Sequence, residues 1–122
     1  MSETPFIAID HIQLAMPPSE EERARKFYAG LLGLVEVTEL AELADRGGAW
    51  FESGPARIHL GVEANFRAAK KARSAFLCQN YAGLVANLRA AGVEVADAEN
   101  LEDSPRCHIF DPFGNRIALV SA

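Results

Sequence analysis

Three histidines, His11, His59 and His108, are the only imidazoles in the 122 residues. A histidine can exchange a proton near neutral pH or lend a ring nitrogen to a divalent ion. Each of the three lies in a segment that alternates apolar and other residues. Along 7–15 the order I-A-I-D-H-I-Q-L-A sets His11, Gln13 and Ala15 against Ile12 and Leu14. Along 56–62, His59 stands opposite Ile58 and Leu60, and near the C-terminus Ala118 stands opposite Ile117 and Leu119. Arg73 stands opposite Phe76. Side chains alternate faces along a strand, so the apolar pairs are expected to face helices while His11, His59, Arg73 and Ala118 take the opposite faces of their strands. Cys78 and Cys107 lack the C-x-x-C spacing of a metal or redox site and are expected to be reduced core thiols.

The elements that must position these residues occur twice. The stretch 7–15 reads as a half-buried strand, and Pro17-Pro18-Ser19 ends it. Ser19 and Glu22 have the S-x-x-E spacing of a capping box, which predicts a helix of about a dozen residues ending near Leu32-Gly33. Phe27, Tyr28, Leu31 and Leu32 supply its buried stripe. A short strand over 34–38, a polar connector through Arg46, and strands over 49–52 and 56–62 follow, the last two joined by Ser53-Gly54-Pro55. The second half repeats this order, with a strand over 73–78, a helix over 81–91, and strands over 93–96, 106–110 and 116–120. Letters repeat as well: Gly33-Leu34-Val35-Glu36-Val37 returns as Gly92-Val93-Glu94-Val95, and Arg57-Ile58-His59-Leu60 as Arg116-Ile117-Ala118-Leu119.

Such similarity indicates duplicated units that cannot each cover an apolar face alone. The expected organisation is one domain over 1–122, with module one over 6–62, a basic, alanine-rich and partly helical linker over 63–72, and module two over 73–122. Asp111-Pro112-Phe113-Gly114-Asn115 reads as a hairpin turn in which Asp and Asn bond local backbone and Gly takes a positive φ.

Composition narrows the classes of function. A hydrophobic share of 49% over this length is enough for one core. The formal charge of −5, with acidic and basic residues interspersed, argues against nucleic acid as a partner. Residues 1–5 lack the features of a secretory signal and no apolar run is long enough to cross a bilayer, so a cytoplasmic protein without membrane partners is expected.

Asp10-His11-Ile12-Gln13-Leu14, Phe27-Tyr28-x-x-Leu31-Leu32-Gly33-Leu34, Ile58-His59-Leu60-Gly61, Arg73-Ser74-Ala75-Phe76 and the run from Asp111 to Leu119 together resemble the vicinal oxygen chelate superfamily of glyoxalases, bleomycin-resistance proteins and extradiol dioxygenases. The resemblance covers essentially the whole chain. It implies an α+β fold of two βαβββ modules, whose curved mixed sheets surround a cleft that short members complete as homodimers. It also implies metal ligands at four strand positions, here His11, His59, Arg73 and Ala118, and it places His108 on the cleft side. Alanine offers no donor atom, and a guanidinium offers only N–H donors and a positive charge. Two of the four positions therefore cannot hold a cation, which leaves His11 and His59.

Three functions are weighed on this basis. The first is a protein without bound metal that takes a small, anionic or aromatic molecule, with Arg73 supplying the missing positive charge or else pairing with Asp10 or Glu63. His11, Gln13, Phe51, His59, Arg73, His108 and Phe110 are then the expected ligand contacts, with Trp50 as a further cleft wall or a core residue. The second is an enzyme, a glyoxalase-type isomerase or lyase, a dioxygenase or a thiol transferase, using Zn, Ni, Mn or Fe held by His11 and His59, with or without His108. The third is an interaction module whose cleft is filled by its own side chains.

Overall fold

The computed structural model describes residues 4–37, 47–97 and 104–122; the connector expected through Arg46 lies outside them. The first unit runs β1 (Ile12–Met16), α1 (Glu21–Ala24) continuing as a π-helical segment (Arg25–Leu31), β2 (Val35–Val37), β3 (Ala49–Ser53) and β4 (Ala56–Val62). The second runs β5 (Ser74–Cys78), α2 (Tyr81–Ala90), β6 (Val95–Asp97), β7 (Arg106–Phe110) and β8 (Arg116–Ser121). Each unit is βαβββ. The sheets have the orders β1-β4-β3-β2 and β5-β8-β7-β6. β1 pairs with β4, and β5 with β8, in parallel, and the remaining ladders are antiparallel.

Alternation assigns the faces as the sequence indicates. Phe51, Ile58 and Leu60 of sheet one and Cys107, Ile109, Ile117 and Leu119 of sheet two are buried and join Phe27, Tyr28 and Leu88 of the helical segments in one core. Glycine closes each helical segment in the same way: Gly33 and Gly92 take φ of 79° and 85°, a conformation that other residues adopt only with strain.

Several local expectations differ from the structure. The first strand begins at Ile12, and Phe6, Ile7 and Ile9 lie exposed ahead of it, with no partner strand assigned to them. Ser19 does not cap α1. Ser19 sits in a turn with Pro18, at φ 64°, and the helix starts from Glu20 without a side-chain cap bond. The acidic first turn, Glu21 and Glu22, still complements the helix dipole. From Arg25 the turns widen, and Leu32 N–H donates to Phe27 O at 2.9 Å. Widening moves consecutive side chains toward one face, and Phe27 and Tyr28 are both buried. The segment expected to be partly helical, 63–72, contains no helix; a turn at 64–65 and bends at 70–71 punctuate an irregular run.

The turn at Asp111 reaches beyond its own hairpin. Asp111 Oδ1 accepts the backbone N–H groups of Phe113 and Asn115, while Oδ2 accepts Asn115 Nδ2 at 2.9 Å and the hydroxyl of Tyr28, from the other unit, at 2.7 Å. Asn115 Nδ2 also donates to Ala15 O in β1. Burial, and after it the Asp111 carboxylate, pushes the Tyr28 phenol well above its ordinary value. Tyr28→Phe should therefore cost about 1.5–3 kcal/mol in urea unfolding at neutral pH, the range for a hydrogen bond to a charged group. The native phenol stays protonated while the unfolded one ionises above about pH 10, so the advantage of the native residue should shrink as pH rises past that point.

Candidate functional site

Strand register places the four family positions as the repeat implies. Gln13 pairs with His59 and Trp50 with His59, while Ala75 pairs with Ala118 and His108 with Ala118. His59 thus corresponds to Ala118, Trp50 to His108, and His11, two residues before Gln13, to Arg73. All lie on the sheet faces that point away from the helices.

On sheet one the aromatic groups gather. The Trp50 and His59 rings stack with centroids 4.3 Å apart and 5° between planes, and His11 lies tilted at 4.8 Å from Trp50 and 6.3 Å from His59. A charged string holds the edge of this cluster. His11 Nδ1 donates to Asp10 Oδ2 at 2.9 Å, because a carboxylate can only accept, and this fixes the neutral ring with its lone pair on Nε2. Arg57 donates to Asp10 Oδ1 and to Glu52 Oε2, each at 3.0 Å, and its guanidinium lies 5.7 Å from the Trp50 ring centre. The His11 bond, then Arg57, keeps the Asp10 carboxyl below its ordinary value.

Sheet two is different in kind. Arg116 Nη2 donates to His108 Nδ1 at 3.1 Å, which requires a neutral ring protonated on Nε2. Burial, followed by the charges of Arg116 and Arg73, lowers the His108 value, in agreement with that tautomer. Arg73 is exposed and lines a groove that Gln13 also lines. Asp10, considered as a partner for Arg73, bonds to Arg57 and His11 instead.

The expected contacts therefore separate into groups. His11 and His59 meet beside Trp50, Gln13 shares their face, and Arg73 and His108 are electrostatic neighbours on sheet two. Phe51 is corrected: it is fully buried and stacks on Tyr28 at 5.4 Å, because the register that turns Trp50 and His59 outward turns Phe51 to the helix. Phe110 is 38% exposed and lines a second groove with Arg23, Phe27 and Leu31, so it is not among the residues around His59. Arg57 and Arg116 were passed over in the sequence, although each stands two residues before a family position, on the same strand face. The role of Trp50 could be read only from the β3–β4 register.

The donor set of the described residues does not fit a resident divalent ion. Among the described residues no three His, Cys, Asp or Glu side chains are grouped to hold one. Trp50 covers the His59 ring, and the counterpart positions on sheet two carry Arg73 and Ala118.

Comparison with known proteins agrees with the topology. Residues 8–119 match the model of the Glyoxalase/Bleomycin resistance protein/Dioxygenase superfamily, and the chain belongs to that superfamily. A glyoxalase family protein from Bacillus anthracis is 40% identical, with 98% of each chain covered and a TM-score of 0.93. The fosfomycin resistance protein FosX from Listeria monocytogenes shares the fold at 13% identity, covering 96% of this chain and 94% of its own, with a TM-score of 0.75. Lactoylglutathione lyase from Agrobacterium tumefaciens does so at 20% identity, covering 98% and 96%, with a TM-score of 0.71. Comparison with curated proteins gives no match.

Two outcomes follow from this arrangement. In an NMR titration of the histidine Cε1 protons, Arg116→Ala should move His108 upward toward the ordinary imidazole value; no movement would mean that the Arg116 charge does not reach the ring. Restoring donors with Arg73→His and Ala118→Glu together should strengthen Zn or Ni binding over that of the native chain, to about micromolar or tighter by calorimetry.

Proposed function

We propose that this chain binds a small molecule on the open face of sheet one, without a resident metal. The observation that supports this most directly is the ring cluster of Trp50, His59 and His11, part-exposed on a face turned away from the core. Stacked rings with a few polar anchors suit a flat or apolar ligand body. Arg73, exposed and lining the groove beside Gln13, suits an anionic group on the same ligand.

A dimeric cleft belongs to the proposal. Val35 and Val37 share the face of Trp50 by register, and both are exposed. Leu77, 77% exposed, shares the corresponding face of sheet two with Ala75. A second copy laid over these faces would cover apolar surface that one chain leaves in water.

One observation favours the alternative, an enzyme of the superfamily using His11 and His59. The Asp10–His11 pair orients an imidazole whose remaining nitrogen can accept a proton or a metal.

Protein purified without an affinity tag should carry less than about 0.1 equivalent of Zn, Ni, Mn or Fe, as expected of two histidine donors alone. Stoichiometric metal that disappears in His59→Ala would replace the binding proposal with the enzymatic one. Trp50 is the one tryptophan of the chain, so its emission reports this face directly. Aromatic carboxylates should quench it saturably and raise the melting temperature, and size-exclusion chromatography with light scattering should give twice the chain mass.

A further inference from the structure

Outside the ring cluster, positive charge collects at the seam between the sheets. β1 and β5 each lie at the end of their sheet. A groove of about 540 Å³ is lined by Gln13 of β1, Ser74 of β5, Arg116 of β8, and Glu63, Arg67 and Arg73 of the connecting segment. Three guanidinium groups against one carboxylate leave two positive charges in the groove of a chain whose formal charge is −5. Among the described residues neither Arg67 nor Arg73 has an ion-pair partner. Arg116 spends one nitrogen on His108, a neutral acceptor that leaves its charge uncompensated.

A groove of donors with excess positive charge is complementary to an oxyanion. The guanidinium fork matches two oxygens of one carboxylate or phosphate group and keeps its charge at any physiological pH. A purely structural role, tying the two units together by ion pairs, would need acids of matching number, and Glu63 is the one acid in the lining.

We propose that the seam binds the oxyanion end of a ligand, a carboxylate or phosphate group, through Arg67 and Arg73 with Arg116 behind them, and that the ligand body passes Gln13 onto the open face of sheet one. The oxyanion site stands on the groove itself. The path past Gln13 rests on the reading of the Trp50 face given above.

The test titrates the full chain with inorganic phosphate, with acetate and with phenyl phosphate, each at an ionic strength held constant with sodium chloride. Calorimetry reads affinity and Trp50 emission reads the sheet-one face. Saturable phosphate binding is expected, weakened tenfold or more by Arg67→Gln and by Arg73→Gln. Arg89→Gln, a charge removed from α2 outside the groove, should leave it unchanged. Acetate binding as strongly as phosphate assigns the site to carboxylates, and preference for phosphate assigns it to phosphoryl groups; either supports an oxyanion site. Phenyl phosphate should bind at least tenfold more tightly than phosphate and quench Trp50. Absence of saturable binding of both anions, or equal affinity in the Arg67→Gln, Arg73→Gln double variant, overturns the seam site. Phosphate binding with no gain from the phenyl group and no change in Trp50 emission overturns the path onto sheet one and leaves the seam site standing. Both arginines are exposed, and an unchanged urea midpoint in each variant confirms that a lost signal is not unfolding.

Discussion

The buried carboxylate of Asp111 is the interaction on which the arrangement of the two units rests. A carboxylate can leave water at tolerable cost only where donors replace its hydration. Asp111 finds four, and one of them, the Tyr28 hydroxyl, comes from the other unit. Asn115, locked into the same turn, then reaches Ala15 in β1. The contacts that stabilise the charge also fix where β8 and β1 lie relative to the first helix, and so they bear on the seam between β1 and β5. Arg23 adds a bond to the carbonyl of Pro112 in the same turn, at 3.0 Å.

Strand alternation does the rest of the positioning. Once Phe51, Ile58 and Leu60 are committed to the core, Trp50 and His59 must point the other way, and the parallel pairing of β1 with β4 adds Gln13 to their face. The same logic on sheet two presents Ala118, His108 and Arg73. Equal backbones thus carry unequal chemistry: stacked rings and an Asp–His pair on one sheet, guanidinium groups and a neutral histidine on the other. Membership of the superfamily fixes the frame, while the side chains placed on it decide what can be bound.

The charge distribution follows the same division. Acids and bases of the first unit satisfy one another at the surface, as in Arg25 with Glu36 and Arg57 with Asp10 and Glu52. At the seam the arginines outnumber the acids. Exposed ion pairs contribute little to stability, so such an excess costs the fold little and leaves charge available to a ligand.

Much of this was legible in the sequence because it depends on local periodicity. Alternation in 56–62 and 106–110 gave strands with the observed bounds, the repeated glycines marked both helix ends, and the repeated letters aligned His59 with Ala118. What failed depended on long-range contacts or on backbone detail. Ser19 has the right spacing for a cap, but it takes φ 64° and the helix starts from Glu20 instead. Phe51 looked like a cleft wall until the register with β4 turned it toward Tyr28. The sequence by itself determined the doubled βαβββ pattern and the side-chain chemistry at Arg73 and Ala118, since periodicity and side-chain chemistry travel with the residues. Only the tertiary structure decided that Trp50 covers His59 and that Asp111 binds Tyr28, with Arg67 and Arg73 lining one groove, because those meetings depend on strand pairing and on how two distant segments pack.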